Sequence, residues 1–188
     1  MGNCFGRKCC SVTVIGPSGS GKTSLVQRLQ SVGTDYRSLP PVPTIGFNIE
    51  SIELKRYIIT VWDYGGGYMY KMRSIWDEHF VNIRALVLVV DSSDGALARI
   101  AQARQMLWDV LDNITTINNY NTNTRVIKVL VVANKCDLNR CLTMAQLYNE
   151  LAIDDLLAKR VIQLKFVQAS VVNDHGLNDI LQWLKKLV

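Results

Sequence analysis

The residues with most chemistry to offer stand together near the start of the chain, in Gly16-Pro17-Ser18-Gly19-Ser20-Gly21-Lys22-Thr23. They follow a short apolar β-type run, Ser11 to Ile15, and open a helical pattern at Thr23. A strand, a glycine-rich loop and a helix start, in that order, make the setting a phosphate-binding loop needs. The glycines let successive backbone N–H groups turn inward and form an anion nest at a helix N-terminus. Lys22 adds a cation that can reach the outer phosphates, and the Thr23 hydroxyl is a ready Mg²⁺ ligand. Gly16, Ser18, Gly19, Ser20, Gly21, Lys22, Thr23 and Ser24 are therefore the candidate contacts to a nucleoside phosphate. A serine-rich turn that merely fits the pattern is the bland alternative, and the strand-to-helix context argues against it.

Asn134-Lys135-Cys136-Asp137 follows a second apolar run directly. A polar turn after a buried strand often looks like this, so the tetrapeptide is weak evidence taken alone. Its chemistry is specific all the same. The Asp137 carboxylate can accept from both the N1–H and the N2 amino group of guanine, a donor pair that adenine lacks. The Lys135 stem can lie on the ring face. Gln168-Ala169-Ser170 ends the last β-type run, and small Ala169 leaves room for a backbone N–H to approach the guanine O6. These elements favour GTP and GDP over ATP. Between them, Trp62-Asp63-Tyr64-Gly65-Gly66 offers Asp63 to a Mg²⁺-bound water and the Gly66 N–H to a third phosphate. Thr44, in a proline-bearing loop, can complete the Mg²⁺ shell only when that phosphate draws the loop inward. Two loops that grip the third phosphate must reorganise when it leaves, which is the behaviour of a switch.

Alternating elements must hold these groups. β-type runs lie near Ser11–Ile15, Phe47–Leu54, Tyr57–Asp63, Ala85–Asp91, Val126–Asn134 and Gln163–Gln168. Helical patterns lie near Thr23–Gln30, Ile75–Val81, Ala96–Asp112, Thr143–Leu151 and Asn178–Leu187. Ala85 to Val90 and Val129 to Ala133 are almost wholly apolar, as strands covered on both faces should be. Only Lys55-Arg56 separates Phe47–Leu54 from Tyr57–Thr60, which fits a tight antiparallel hairpin. The expected fold is α/β, a six-stranded, mostly parallel sheet with one antiparallel edge strand and helices on both faces. In such a sheet the ligand lies at the carboxyl ends of the strands, where all these motifs fall. Thr115–Thr124, rich in Asn and Thr, reads as a surface loop.

Composition narrows the class. The chain has 188 residues, 48% hydrophobic and 20% charged, which suits one globular domain with a sizeable core. No apolar run approaches the roughly 18 residues of a membrane span, and no secretory pattern opens the chain. That points to the cytosol, with the five cysteines reduced. Cys4, Cys9 and Cys10 lie far from Cys136 and Cys141, with no sequence-adjacent histidine to complete a zinc site. The net charge of +5 is not gathered into a nucleic-acid motif, so no nucleic-acid partner is expected.

Pro43-Thr44-Ile45-Gly46-Phe47-Asn48, Trp62-Asp63-Tyr64-Gly65-Gly66 and Asn134-Lys135-Cys136-Asp137 together resemble the ADP-ribosylation-factor (Arf) and Arf-like small GTPases, over nearly the whole chain. The resemblance implies a Ras-like phosphate-loop GTPase fold and a membrane switch driven by GTP, GDP and Mg²⁺, whose inter-switch strands slide in register. It implies an exchange factor, a GTPase-activating protein and effectors as partners of a monomer. A phosphate-loop kinase would share only the first motif. Where the family places a water-orienting glutamine, this chain has Gly67, and no glutamine occurs between Asp63 and Trp76. Hydrolysis at Gly66, Gly67 and Thr44 is therefore expected to be very slow. A GTP-bound scaffold that never cycles is the competing reading. Phe47 and Trp62 match two members of the family's effector-binding aromatic triad, and His79 stands at the third.

Met1-Gly2-Asn3-Cys4 exposes Gly2 for myristoylation and offers Cys4, with Cys9 and Cys10, for palmitoylation. One myristoyl chain anchors only marginally, so a second acyl chain is expected. Residues 1–10 then form an acylated tail and residues 11–188 the GTPase domain. The protein would sit on the cytosolic face of a Golgi, other endomembrane or plasma membrane.

Overall fold

A computed structural model describes residues 8–31, 47–54, 57–64, 83, 85–93, 97–120 and 126–187. Its strands are β1 (Lys8–Ile15), β2 (Phe47–Leu54), β3 (Tyr57–Tyr64), β4 (Ala85–Asp91), β5 (Ile127–Asn134) and β6 (Ile162–Gln168). They form one sheet in the order β2-β3-β1-β4-β5-β6. β2 alone runs antiparallel, pairing with β3 from Phe47 opposite Tyr64 to Leu54 opposite Tyr57. The other neighbours pair in parallel.

The apolar runs are continuous because both faces of the sheet are covered. Leu86, Leu88, Val90, Val129 and Val131 point into one core with α2 (Leu97–Tyr120), α3 (Met144–Glu150) and α4 (Ile153–Lys159). Their alternates Ala85, Val87, Val89, Leu130 and Val132 point into the other, with α1 (Lys22–Gln30) and α5 (Leu177–Lys185). Each aliphatic side chain buried in this way contributes about 1.5–3 kcal/mol. The parallel strands therefore end on one edge of the sheet, as the sequence predicts.

Four expectations change. β1 begins at Lys8 rather than Ser11, and Cys10 is only 3% exposed in the core, so it is no acylation candidate. Thr115–Tyr120, expected in a loop, continues α2. There Ile114 is buried, and the hydroxyls of Thr115 and Thr116 donate to the carbonyls of Leu111 and Asp112, one turn back. Polar side chains that satisfy themselves on the preceding turn stay in a helix that an apolar contact holds down. α4 has no counterpart in the sequence reading: at seven residues it is too short to display a period, and it is fixed by buried Ile153 and Leu156. Finally, Thr143 is a cap rather than part of α3. Its hydroxyl accepts from the Gln146 N–H while the Gln146 side chain accepts from the Thr143 N–H. The expected helix at 75–81 lies outside the described residues.

Candidate functional site

Gly16–Thr23 bridges β1 and α1 with the geometry of an anion nest. Gly16 and Gly21 have φ of 146° and 93°. A Cβ on Gly16 would stand 2.2 Å from the Val89 carbonyl oxygen, and one on Gly21 would stand 2.3 Å from Asn134 Nδ2. Only glycine fits either place. Gly21 is the N-cap of α1, with no side-chain cap and no acidic residue in the first turn. The orphan N–H groups and the positive end of the helix dipole are thus left for an external anion.

Two buried polar groups point the same way. Lys22 is 5% exposed, and its Nζ donates to the Pro17 carbonyl at 3.0 Å. Ser20 Oγ is buried with no hydrogen-bond partner among the described residues. A phosphate would accept from the Ser20 hydroxyl and lie beside the Lys22 ammonium, so the residues present fit the group. Thr23 stands on the first turn of α1, and strand register sets Asp63 opposite Val14, two residues before the loop.

The second loop is joined to the first. Asn134 closes β5, is 2% exposed, and donates from Nδ2 to the Ser20 carbonyl at 2.8 Å. Ser92 holds it from below, donating from both N–H and hydroxyl to the Asn134 carbonyl. Lys135 then adopts φ of 64°, which turns the chain so that Asp137 is exposed. Asp137 lines an open cleft of about 510 Å³ with Cys136, Cys141, Thr143, Ser170 and His175. Burial and the neighbouring Asp137 and Cys141 push the Cys136 thiol above its usual range, so it is un-ionised near neutrality.

The family of the chain follows from comparison. The model of the ADP-ribosylation factor family matches residues 1–188. The chain belongs to that family. The ADP-ribosylation factor-like protein 1 of Caenorhabditis elegans is 35% identical to it over 180 residues, 96% of this chain and 89% of that protein. Among solved structures it is similar to the Arl6 (BBS3) small GTPase of Trypanosoma brucei with the bound nucleotide analogue GppNp. The TM-score is 0.70 and the identity 24%, covering 95% of this chain and 96% of that one, a likeness of fold. Arf-family small GTPases are GTP hydrolases, and the family implies a guanine nucleotide with Mg²⁺ and partners that load, activate and read the switch.

The fold of this Arf-family chain brings Gly16, Ser18, Gly19, Ser20, Gly21, Lys22, Thr23 and Ser24 to the same sheet edge as Asn134, Lys135, Asp137, Ala169 and Ser170. The Ala169 N–H donates to the Ala133 carbonyl at 2.9 Å, joining β5 to β6. The Ser170 N–H donates to the His175 carbonyl at 3.0 Å, whereas those of Val171 and Val172 have no hydrogen bond among the described residues, and Val172 is 82% exposed. The backbone of Phe47, Trp62 and Asp63 lies on β2 and β3. Gly2, Cys4, Thr44, Gly66, Gly67 and His79 lie outside the described residues. His175 shares a cleft with Cys136 and Cys141 despite its distance in sequence, yet no group of three metal-ligating side chains occurs among the described residues.

Sequence reasoning missed Asp91. It ends β4, is 3% exposed, and receives Lys135 Nζ at 2.8 Å and Arg99 Nη2 at 3.1 Å. The available signal was its place, a carboxylate finishing a wholly apolar strand on the edge where ligands gather. Burial works to raise its pKa. The hydrogen bonds from Lys135 and Ser93, with the Lys135 charge, outweigh burial and hold the carboxyl below its ordinary value.

Proposed function

We propose that this chain is a GTP-binding switch of the Arf-like type, cycling between GDP and GTP forms and recruiting effectors at a membrane. The observation that carries the reading is the Asn134–Ser20 hydrogen bond, which ties a phosphate nest to a loop bearing Asp137 at 2.8 Å. Main-chain N–H groups of Ser18, Gly19 and residues 21–23, with the Lys22 ammonium, grip the β- and γ-phosphates, Asp137 reads the guanine edge, and the Lys135 stem covers the ring. With the Ala169 N–H engaged, the N–H groups of Val171 and Val172 are the donors available to the guanine O6. Mg²⁺, held by Thr23, by Thr44 and through water by Asp63, would neutralise charge on the transferred phosphoryl group. Gly66 lends an N–H to the γ-phosphate.

Gly67 leaves the attacking water without a side chain to orient it, so hydrolysis is slow unless an activating protein supplies one. The residues ahead of β1 act as an acylated tail, through Gly2 and Cys4, for a GTPase domain whose first strand starts at Lys8 rather than at the expected residue 11. Among the described residues no helix is long and apolar enough to cross a membrane, which is compatible with a peripheral protein on the cytosolic face. Phe47, Trp62 and His79 form the effector surface.

Competition binding with Mg²⁺ present tests the core of the proposal: GTP and GDP should displace a fluorescent guanine nucleotide at concentrations where ATP does not. Gly67→Gln should then speed single-turnover hydrolysis, and an unchanged rate would remove the explanation of slow turnover. The same lack of a glutamine favours a second reading, a GTP-bound scaffold. It holds if no phosphate is released even with a cell extract supplying activators.

A further inference from the structure

We propose that Asp91, braced by Arg99, is a positioning residue for guanine-nucleotide binding, acting through Lys135. The inference rests on the reading of Asn134–Asp137 as the base-binding loop and assigns a new residue to it.

The geometry is complete around one carboxylate. Oδ2 of Asp91 accepts from Lys135 Nζ at 2.8 Å and from Arg99 Nη2 at 3.1 Å. Oδ1 accepts from the Ser93 N–H at 3.1 Å and the Ser93 hydroxyl at 2.8 Å. With four donors on two oxygens, the buried charge is compensated and its orientation fixed. Arg99 lies in the first turn of α2, where the helix dipole disfavours a cation and which has no acidic residue. Its guanidinium is instead turned onto Asp91.

Lysine is a poor positioning device by itself, because its four-carbon stem has many rotamers and a freely rotating head. Here both ends of the stem are held. Asp91 and Asn134 are paired across β4 and β5, so the carboxylate sits beside the loop that Lys135 begins. At the backbone end, the left-handed Lys135 is pinned by Leu138 N–H and Cys141 Sγ donating to its carbonyl, at 3.1 Å and 3.2 Å. Cys136 N–H donates to the Ala169 carbonyl at 3.1 Å. A stem tethered at the loop and at Asp91 has one path across the carboxyl edge of the sheet, and that path is the wall a purine would lie against. Asp91 therefore lowers the entropy lost by Lys135 on binding and needs no contact with the nucleotide itself.

The test is the dissociation rate of a fluorescent GDP from full-length protein, for wild type, Asp91→Asn, Lys135→Met and the double variant. Lys135→Met keeps the stem and removes the charged head. Loss of a hydrogen bond between charged groups predicts release about tenfold faster or more for Asp91→Asn. Lys135→Met should match it, and the double variant should be no faster than either single. Inhibition by inorganic tripolyphosphate, which has no base, should stay unchanged, whereas general damage to the site would weaken it. If Asp91→Asn does not fold, Arg99→Gln removes one donor while leaving the carboxylate. It should speed release a few-fold in the wild type and not at all in Lys135→Met. Release within twofold of wild type for Asp91→Asn, additive effects in the double variant, or parallel loss of tripolyphosphate inhibition would each overturn the proposal. Failure of wild-type protein to bind GDP would instead overturn the nucleotide reading beneath it.

Discussion

Replacing Gly21 by alanine tests whether the phosphate loop and the base loop are one mechanical unit. Two costs can be worked from the structure. A left-handed backbone at φ 93° costs an L-residue about 1–2 kcal/mol. The new methyl would also stand 2.3 Å from Asn134 Nδ2, so the side chain must leave its 2.8 Å hydrogen bond to the Ser20 carbonyl. Because Asn134 is buried, losing that bond costs about 1–3 kcal/mol more. The sum is about 2–5 kcal/mol, a urea midpoint lower by roughly 0.7–2.5 M for an m-value near 2–3 kcal/mol/M. Urea unfolding followed by tryptophan fluorescence, on protein stripped of nucleotide so that altered GDP affinity does not enter, measures it. In an Asn134→Ala background the clash is gone and only the backbone cost should remain. Equal destabilisation in both backgrounds would refute the argument that Asn134 is what Gly21 makes room for, and a loss below about 0.5 kcal/mol would refute both parts of it.

Three further outcomes are expected. The folded Asp91 carboxyl lies below its ordinary 3.8, so its stabilisation is complete above the unfolded pKa and lost as pH falls through the lower folded value. The stability difference between wild type and Asp91→Asn should thus stay constant from pH 8 to about 5 and close only below about 4; closure between pH 7 and 5 would contradict the sign. Ile114→Ala should cost about 2–5 kcal/mol in urea unfolding, as for a core residue, whereas a frayed helix end would lose almost nothing. Gly2→Ala should move the protein from the membrane fraction to the soluble one on cell fractionation, and continued membrane attachment would place the anchor elsewhere.

Much of the site was legible because its chemistry is local. Lys22 and the glycines of the first loop are neighbours in the chain, and steric demands at Gly16 and Gly21 leave only one residue type possible. The buried strands announced themselves because covering on two faces removes polar residues from both alternating sets. The same locality explains the errors. Thr115–Tyr120 has a loop's composition, and among the described residues the buried Ile114 just before it is what docks this end of the helix on the core. Ala169 has the small side chain that lets a backbone N–H approach a base, but which nearby N–H stays free depends on carbonyls distant in the chain.

The amino-acid order alone thus determined the alternating α/β plan and the glycine-rich loop between β1 and α1, and it made Asp137 the candidate for reading a base, because each rests on residue type and short spacing. Tertiary structure decided the partnerships. It set Asn134 against Ser20, which lies 114 residues earlier, and Lys135 against Asp91, 44 residues earlier. No spacing rule foretells such pairs, since they form only when parallel strands bring distant carboxyl ends to one edge of the sheet.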